Sequence, residues 1–251
     1  LTIPILIILG GIGFMTWKDV REHKWHFRLY TLQTKLILTT TAGLILIPPL
    51  LFFFLEFSRP VWDSMTLGER LLASFFQAVT PRTAGFNSVD LTALSEPSQA
   101  LTIVLMLIGG APGSTAGGFK VTALAVLFVN ASAVLRHRSC TQCYGRRLMP
   151  EALTNAMTIV LMYLILFFAG GAIICGLEGI PLMDAMFETA SAIGTVGLTL
   201  GATPTLGTAS KLILIFLMYF GRVGGLTLIY ALLANKPQPA SMPPQERVTV
   251  S

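Results

Sequence analysis

Residues 187–201 read FETASAIGTVGLTLG, and 112 positions earlier residues 75–89 read FFQAVTPRTAGFNSV. One gap-free shift lays Phe75 on Phe187, Ala78 on Ala190, and Thr83-Ala84-Gly85-Phe86 on Thr195-Val196-Gly197-Leu198. Further on it pairs Leu94 with Leu206, Ser98 with Ser210, Gly109-Gly110 with Gly221-Arg222, and Gly113 with Gly225. A fixed offset over this length marks a structural repeat. Each unit contains a short apolar piece, a glycine-bearing loop and a longer apolar run.

The chain has 251 residues, of which 53% are hydrophobic and 12% charged. Soluble domains carry about 25% charged residues, and a run of about 20 apolar residues crosses a bilayer core. Long apolar runs occur over Leu36–Phe57, Ala100–Asn130, Ala152–Leu177 and Ala209–Ala234, and a shorter one opens the chain over Leu1–Thr16. The reading is an all-α membrane protein, with Pro48-Pro49 expected to kink the second run. The net charge of +5 does not imply a nucleic-acid partner. Its basic residues sit in short loops beside apolar runs, which is the positive-inside pattern.

Those loops set a topology. Segments 18–35 and 135–151, with Arg136, Arg138, Arg146 and Arg147, and the tail 235–251 are expected in the cytoplasm. Segments 58–98 and 178–208 are then outside. The parity closes only if Leu71–Val79 and Pro181–Ile193 enter the membrane and return to the same side. Irregular backbone at membrane depth is tolerated where it lines a cavity, so the pieces read as re-entrant pore helices followed by loops 80–90 and 194–201. An ordinary turn explains Gly85 or Gly197 singly, but neither the non-spanning helices nor the parity.

Gly10-Gly11-Ile12-Gly13 matches Gly109-Gly110-Ala111-Pro112 at an offset of 99. Residues 1–17 therefore read as the last helix of a preceding repeat, followed by full repeats over 36–134 and 152–234. Leu1 stands within an apolar run, without a basic segment before it or a small-residue cleavage site after it. A signal peptide is not expected, and the chain is expected to be a piece lacking its natural N-terminal part.

A dehydrated cation in a narrow passage needs its water replaced, and backbone carbonyls can do this. Glycine tolerates the backbone angles required, while Thr83, Ala84, Thr195 and Val196 leave room and stiffen the loop. Thr195-Val196-Gly197 repeats the opening of the potassium-channel motif TVGYG. The candidate ion ligands are the carbonyls of Thr83, Ala84, Gly85, Thr195, Val196 and Gly197, with Phe86 and Leu198 completing the filter loops. Residues 109–118 (Gly109, Gly110, Gly113, Ser114, Thr115, Gly117 and Gly118 among them) break the third run. They read as a gate loop beneath the filter, or as a kinked helix packed through small residues.

Arg222 lies in an apolar run and is a functional candidate, as a pore-facing barrier to cations or as a group paired with a carboxylate or with helix-end carbonyls. Lys120 is placed to snorkel. Arg82 and Asn87 either hold the first loop or stand solvated at the mouth, where Asp90 is expected. Cys140 and Cys143 form a C-x-x-C in a basic loop without further ligands. His23, His26 and His137 lack metal spacing, and no nucleophile–base pair stands out, so an enzyme is not expected.

The segments Thr80-Pro81-Arg82-Thr83-Ala84-Gly85-Phe86-Asn87, the break at 109–118, Gly194-Thr195-Val196-Gly197-Leu198 and Gly221-Arg222-Val223-Gly224-Gly225-Leu226-Thr227 resemble, in this order, the Trk/Ktr/HKT superfamily of cation transporters, and the last filter resembles its Ktr branch. The resemblance implies four helix–pore-helix–helix repeats around a pseudo-fourfold pore in the cell membrane. Gly85 and Gly197 would be filter glycines of the third and fourth, residues 109–118 the intramembrane gate and Arg222 the pore arginine. It further implies potassium as cargo, no covalent cofactor, sodium stimulation, a homodimer with one pore per subunit, and a cytoplasmic nucleotide-binding ring of the regulator-of-potassium-conductance type. Two filter quarters cannot enclose an ion, and the first-repeat filter position that separates sodium-preferring relatives is not in this sequence. A sodium-permeable member, or a non-conducting sensor or assembly subunit on the same scaffold, are the alternatives.

Overall fold

The computed structural model describes residues 1–24, 26–138 and 140–224. The end of the last apolar run, the matches at Gly225, Leu226 and Thr227, and the tail with Lys236 and Arg247 lie outside these.

The opening apolar run is two helices rather than one. Helix α1 (Thr2–Gly11) and α2 (Phe14–His23) meet at 88° across Gly13, whose φ is +85°. Helix α3 starts at Leu32 because the Thr31 hydroxyl accepts from the Thr34 amide and caps it. Asp19 of α2 accepts from the Thr31 amide and hydroxyl, both at 2.9 Å, and so ties α2 to the start of α3. The expected loop 18–35 thus shrinks to the stretch between His23 and Leu32, which holds a 3₁₀ turn at Phe27–Leu29.

Helix α3 (Leu32–Phe52) runs on through Pro48 and Pro49 without ending, and its irregularity falls later, as a π turn over Phe53–Phe57. The short helix α4 (Leu67–Val79) opens with a reciprocal capping box: Thr66 accepts from Glu69 N, and the Glu69 carboxylate accepts from Thr66 N at 2.8 Å. Next come α5 (Glu96–Leu107), an irregular segment, α6 (Val121–Leu135) and a hairpin of β1 (Gln142–Cys143) and β2 (Arg146–Arg147), where only a loop was expected. Helix α7 (Pro150–Glu178), the short α8 (Leu182–Ile193) and α9 (Thr208–Val223) complete the described chain.

Among the described residues two helices are long and apolar enough to span a bilayer, Leu32–Phe57 (including the π turn) and Pro150–Glu178, or three spans if the bent pair α1–α2 is one. By contrast α4 and α8 have 13 and 12 residues. At 1.5 Å per residue they reach about 20 Å, short of a hydrocarbon core of about 30 Å. Each short helix packs on the spanning helix before it, α4 on α3 and α8 on α7, while α5 crosses to α8 and joins the two repeats. The core along this seam includes Met106, Phe187, Ala190, Ile193 and Leu217.

Candidate functional site

The two glycine loops share one backbone pattern. In the first, Thr83 and Gly85 have φ of +62° and +72°; in the second, Thr195 and Gly197 have +52° and +91°. A left-handed residue at every second position stops carbonyls from alternating as they do along a strand, and lets successive oxygens face one side. Threonine rarely enters this region, so its presence in both copies marks stored strain.

Hydrogen bonds from behind hold each loop. The Thr80 carbonyl accepts from Ala84 N (3.2 Å) and Gly85 N (3.4 Å), and the Thr80 hydroxyl donates to the Phe86 carbonyl at 2.6 Å. In the second copy, the Ser191 carbonyl accepts from Val196 N (2.9 Å) and its hydroxyl from Gly197 N (3.1 Å). Both loops leave the C-terminal ends of short helices, α4 and α8. Such an end carries about half a negative charge.

The tertiary fold brings the loops together. A Cβ placed on Gly85 would lie 2.3 Å from the Val196 carbonyl oxygen and 3.4 Å from the Gly197 carbonyl carbon. Thr195–Leu198 line an open cavity of about 570 Å³ together with Glu188, Ser191, Thr199 and Arg222.

The break between α5 and α6 is an irregular loop tied at its stem. Gly109 N donates to Phe119 O (2.9 Å), Phe119 N to Leu107 O (3.2 Å) and Val121 N to Gly110 O (3.1 Å). It also hangs on the α1–α2 bend through Ala111 N to Gly11 O (2.8 Å) and Phe14 N to Gly113 O (3.4 Å). Its far side presses on the second glycine loop: a Cβ on Gly117 would stand 2.0 Å from the Thr195 hydroxyl oxygen. Two cations grip it, Arg222 donating to the Thr115 carbonyl and Lys120 Nζ to the Ala116 carbonyl at 2.6 Å. Arg222 therefore borders the cavity and donates to one carbonyl of the loop, Thr115.

Other sequence candidates separate. Arg82 is 5% exposed, and its guanidinium has no hydrogen-bond partner among the described residues; only its backbone N–H bonds locally, to Val79 O. Asn87 is exposed. Asp90 is exposed and caps the 3₁₀ turn Leu91–Ala93, accepting from the Thr92 hydroxyl (2.7 Å) and amide (2.9 Å), which lowers its pKa. Cys143 lies in the hairpin, where burial pushes its thiol pKa up, and Cys140 is free. Among the described residues no cluster of His, Cys, Asp or Glu could hold a metal ion.

Sequence reasoning missed a pair of carboxylates. Glu56 is fully buried and accepts from Ser95 N (3.0 Å), Ser95 Oγ (2.5 Å), Trp62 Nε1 (2.9 Å) and Arg59 (2.8 Å). Glu178 accepts from Gly207 N (2.9 Å) and Ser210 Oγ (2.5 Å). Ser95 and Gly207 are the N-caps of α5 and α9 and stand 112 residues apart. Each glutamate thus places a negative charge at the N-terminus of the helix after its glycine loop. Glu56 and Glu178 are 122 residues apart, because the stretch from Glu56 to Phe75 is ten residues longer than that from Glu178 to Phe187. A gapped alignment of the repeats would have paired them.

The family described as TrkH, cation transport protein, matches residues 1–243. A protein named Ktr system potassium uptake protein B, from Bacillus subtilis, is 40% identical over 232 residues, 92% of this chain and 52% of its own length. The potassium/sodium uptake protein NtpJ of Enterococcus hirae is 37% identical over 99% of this chain and 56% of its own. The crystal structure of the potassium transporter TrkH from Vibrio parahaemolyticus superposes with a TM-score of 0.69 at 20% identity, over 93% of this chain and 51% of that one, and so shares its fold. The chain spans about half the length of the curated relatives it matches.

Proposed function

The chain belongs to the TrkH family of cation transport proteins, multi-pass plasma-membrane proteins and not enzymes, and on that premise we propose that it builds two of four walls of a pore for potassium uptake. The observation that carries this reading is the meeting of two left-handed glycine loops, Gly85 against the Val196 carbonyl. The carbonyls of Thr83, Ala84, Gly85, Thr195, Val196 and Gly197 replace the water of a dehydrated potassium ion, and Phe86 and Leu198 back them. The C-termini of α4 and α8 add their negative ends to the same cation.

Residues 109–118 are the gate. Their contact with Thr195 at Gly117, and the grip of Arg222 and Lys120 on their carbonyls, support a loop that obstructs the passage just beyond the filter. The intact protein works as a homodimer with a cytoplasmic nucleotide-binding ring of the regulator-of-potassium-conductance type. The ring part of this reading draws on the Ktr system naming of the B. subtilis relative. Sodium stimulates uptake.

The test is growth of a potassium-uptake-deficient cell at low external potassium, rescued by the intact transporter. Gly85→Ser and Gly197→Ser are expected to keep the protein in the membrane while lowering potassium-over-sodium selectivity. Unchanged selectivity in both would remove the filter from this place. A competing reading is a sodium-permeable pore, favoured by the potassium/sodium name of the E. hirae relative. Equal sodium and potassium uptake by the wild type would establish it.

A further inference from the structure

Glu188 is a charge that the pore reading leaves unused. It sits in the middle of α8, 3% exposed, and its neighbours on the cavity wall are Thr195–Leu198. Its Oε1 accepts from the Thr199 hydroxyl (2.6 Å) and Leu200 N (3.1 Å), and Oε2 accepts from the Thr203 hydroxyl. The Thr199 oxygen in turn accepts from Gly201 N at 2.8 Å. One buried carboxylate thus fastens the whole limb that follows Gly197.

The first repeat lacks this device. The 112-residue shift places Phe76 at the same point of α4, where the ring lines an apolar recess with Ser88 and Val89. Its limb is held instead by the neutral bond from the Thr80 hydroxyl to Phe86 O. The two quarters of the site therefore differ in charge.

Burying a carboxylate is costly unless it is bonded and neutralised. The hydrogen-bond donors to Glu188 are all neutral, and among the described residues no Lys, Arg or His forms an ion pair with it. The open space beside it is the cavity that also borders the filter carbonyls. Arg222 borders the same cavity but forms no ion pair with Glu188, so a cation in that space supplies the direct counter-charge that the carboxylate lacks.

Resting on the pore reading, we propose that Glu188 is a positioning and selectivity-determining residue of the transport site. It fixes the limb Leu198–Thr203, and its negative charge sets the affinity for the permeating monovalent cation. Charge and positioning can be separated. Glu188→Gln keeps an acceptor oxygen and removes the charge. Thr199→Val with Thr203→Val removes the hydroxyl donors and keeps the carboxylate.

The experiment uses the intact transporter in proteoliposomes, with potassium and rubidium uptake measured against sodium competition. Glu188→Gln is expected to raise the apparent KM for potassium about tenfold with little change in maximal rate, as loss of a charge-assisted contact implies. Thr199→Val/Thr203→Val is expected to leave KM near wild type and lower the potassium-over-sodium ratio several-fold, with Glu188→Asp partly restoring wild-type KM relative to Gln. Gel filtration of the purified proteins verifies that each variant folds. Wild-type KM and selectivity in both folded variants overturn the proposal. If Gly197→Ser still degrades selectivity in that case, the pore reading stands and only the role of Glu188 falls. A wild type that takes up no potassium would defeat the pore reading itself.

Discussion

Gly85 and Val196 belong to different repeats, yet the Gly85 α-carbon sits so near the Val196 carbonyl that an added Cβ would stand 2.3 Å from its oxygen. The φ of +72° at Gly85 would also strain any L side chain, by about 1–2 kcal/mol. Both costs vanish only for glycine. Gly85→Ala is therefore expected to cut potassium uptake by at least tenfold. Gly43→Ala, in α3 with no atom within 4 Å of the added Cβ, is the matched control. It is expected to transport normally and to be slightly more heat-stable, by about 0.5–1 kcal/mol. Equal activity of the two variants would count against a close-packed pair of glycine loops in the transport path.

The Arg222–Thr115 bond gives a test of the gate proposed for residues 109–118. Arg222→Gln removes a positive charge from the cavity wall and loosens the loop at Thr115. Rubidium uptake through the intact transporter is expected to rise several-fold in this variant, and also in a variant with residues 113–116 deleted. Initial rates of rubidium uptake decide this; unchanged rates in both variants would discredit the gate.

The two capping glutamates predict a ranking in stability. Glu56→Ala orphans the Ser95 amide and the Trp62 indole in a fully buried place, costing about 2–3 kcal/mol. Glu178→Ala frees Gly207 N and Ser210 Oγ in a half-buried place. The thermal midpoint in detergent is expected to fall in both, and further in the Glu56 variant. The reverse order would mean that the α5 cap is dispensable.

Orientation is open to a thiol test. Cys140 and Cys143 flank and enter the hairpin of the basic loop 135–151. A membrane-impermeant maleimide is expected to label them in inside-out vesicles and not in right-side-out ones. Burial raises the Cys143 pKa, so less of it is thiolate at neutral pH, and its labelling is expected to be slow there and to accelerate as pH rises. Labelling from the outer side would invert the topology.

Much of the architecture was legible because membrane folds write their constraints along the chain. Apolar run length, loop charge and the 112-residue shift located the long helices, the short ones and both glycine loops. The single opening helix is instead two, whereas α3 continues through Pro48-Pro49. The sequence marks where a helix has a weak point, but packing and local caps choose where it yields, as at Gly13 and at the π turn Phe53–Phe57. The glutamate pair escaped notice because unequal loop lengths displace it from the repeat register.

The sequence by itself determined the membrane class, the duplicated frame and the positions where backbone must bend, since solvent and covalent geometry act on every residue locally. Only the tertiary structure decided which groups face which: Gly85 against Val196, Gly117 against Thr195, Arg222 on Thr115, Glu188 behind Thr199. Those contacts join residues 78 to 111 positions apart or cross from a helix to its following limb. Such distances are set by how helices pack, which no local pattern encodes.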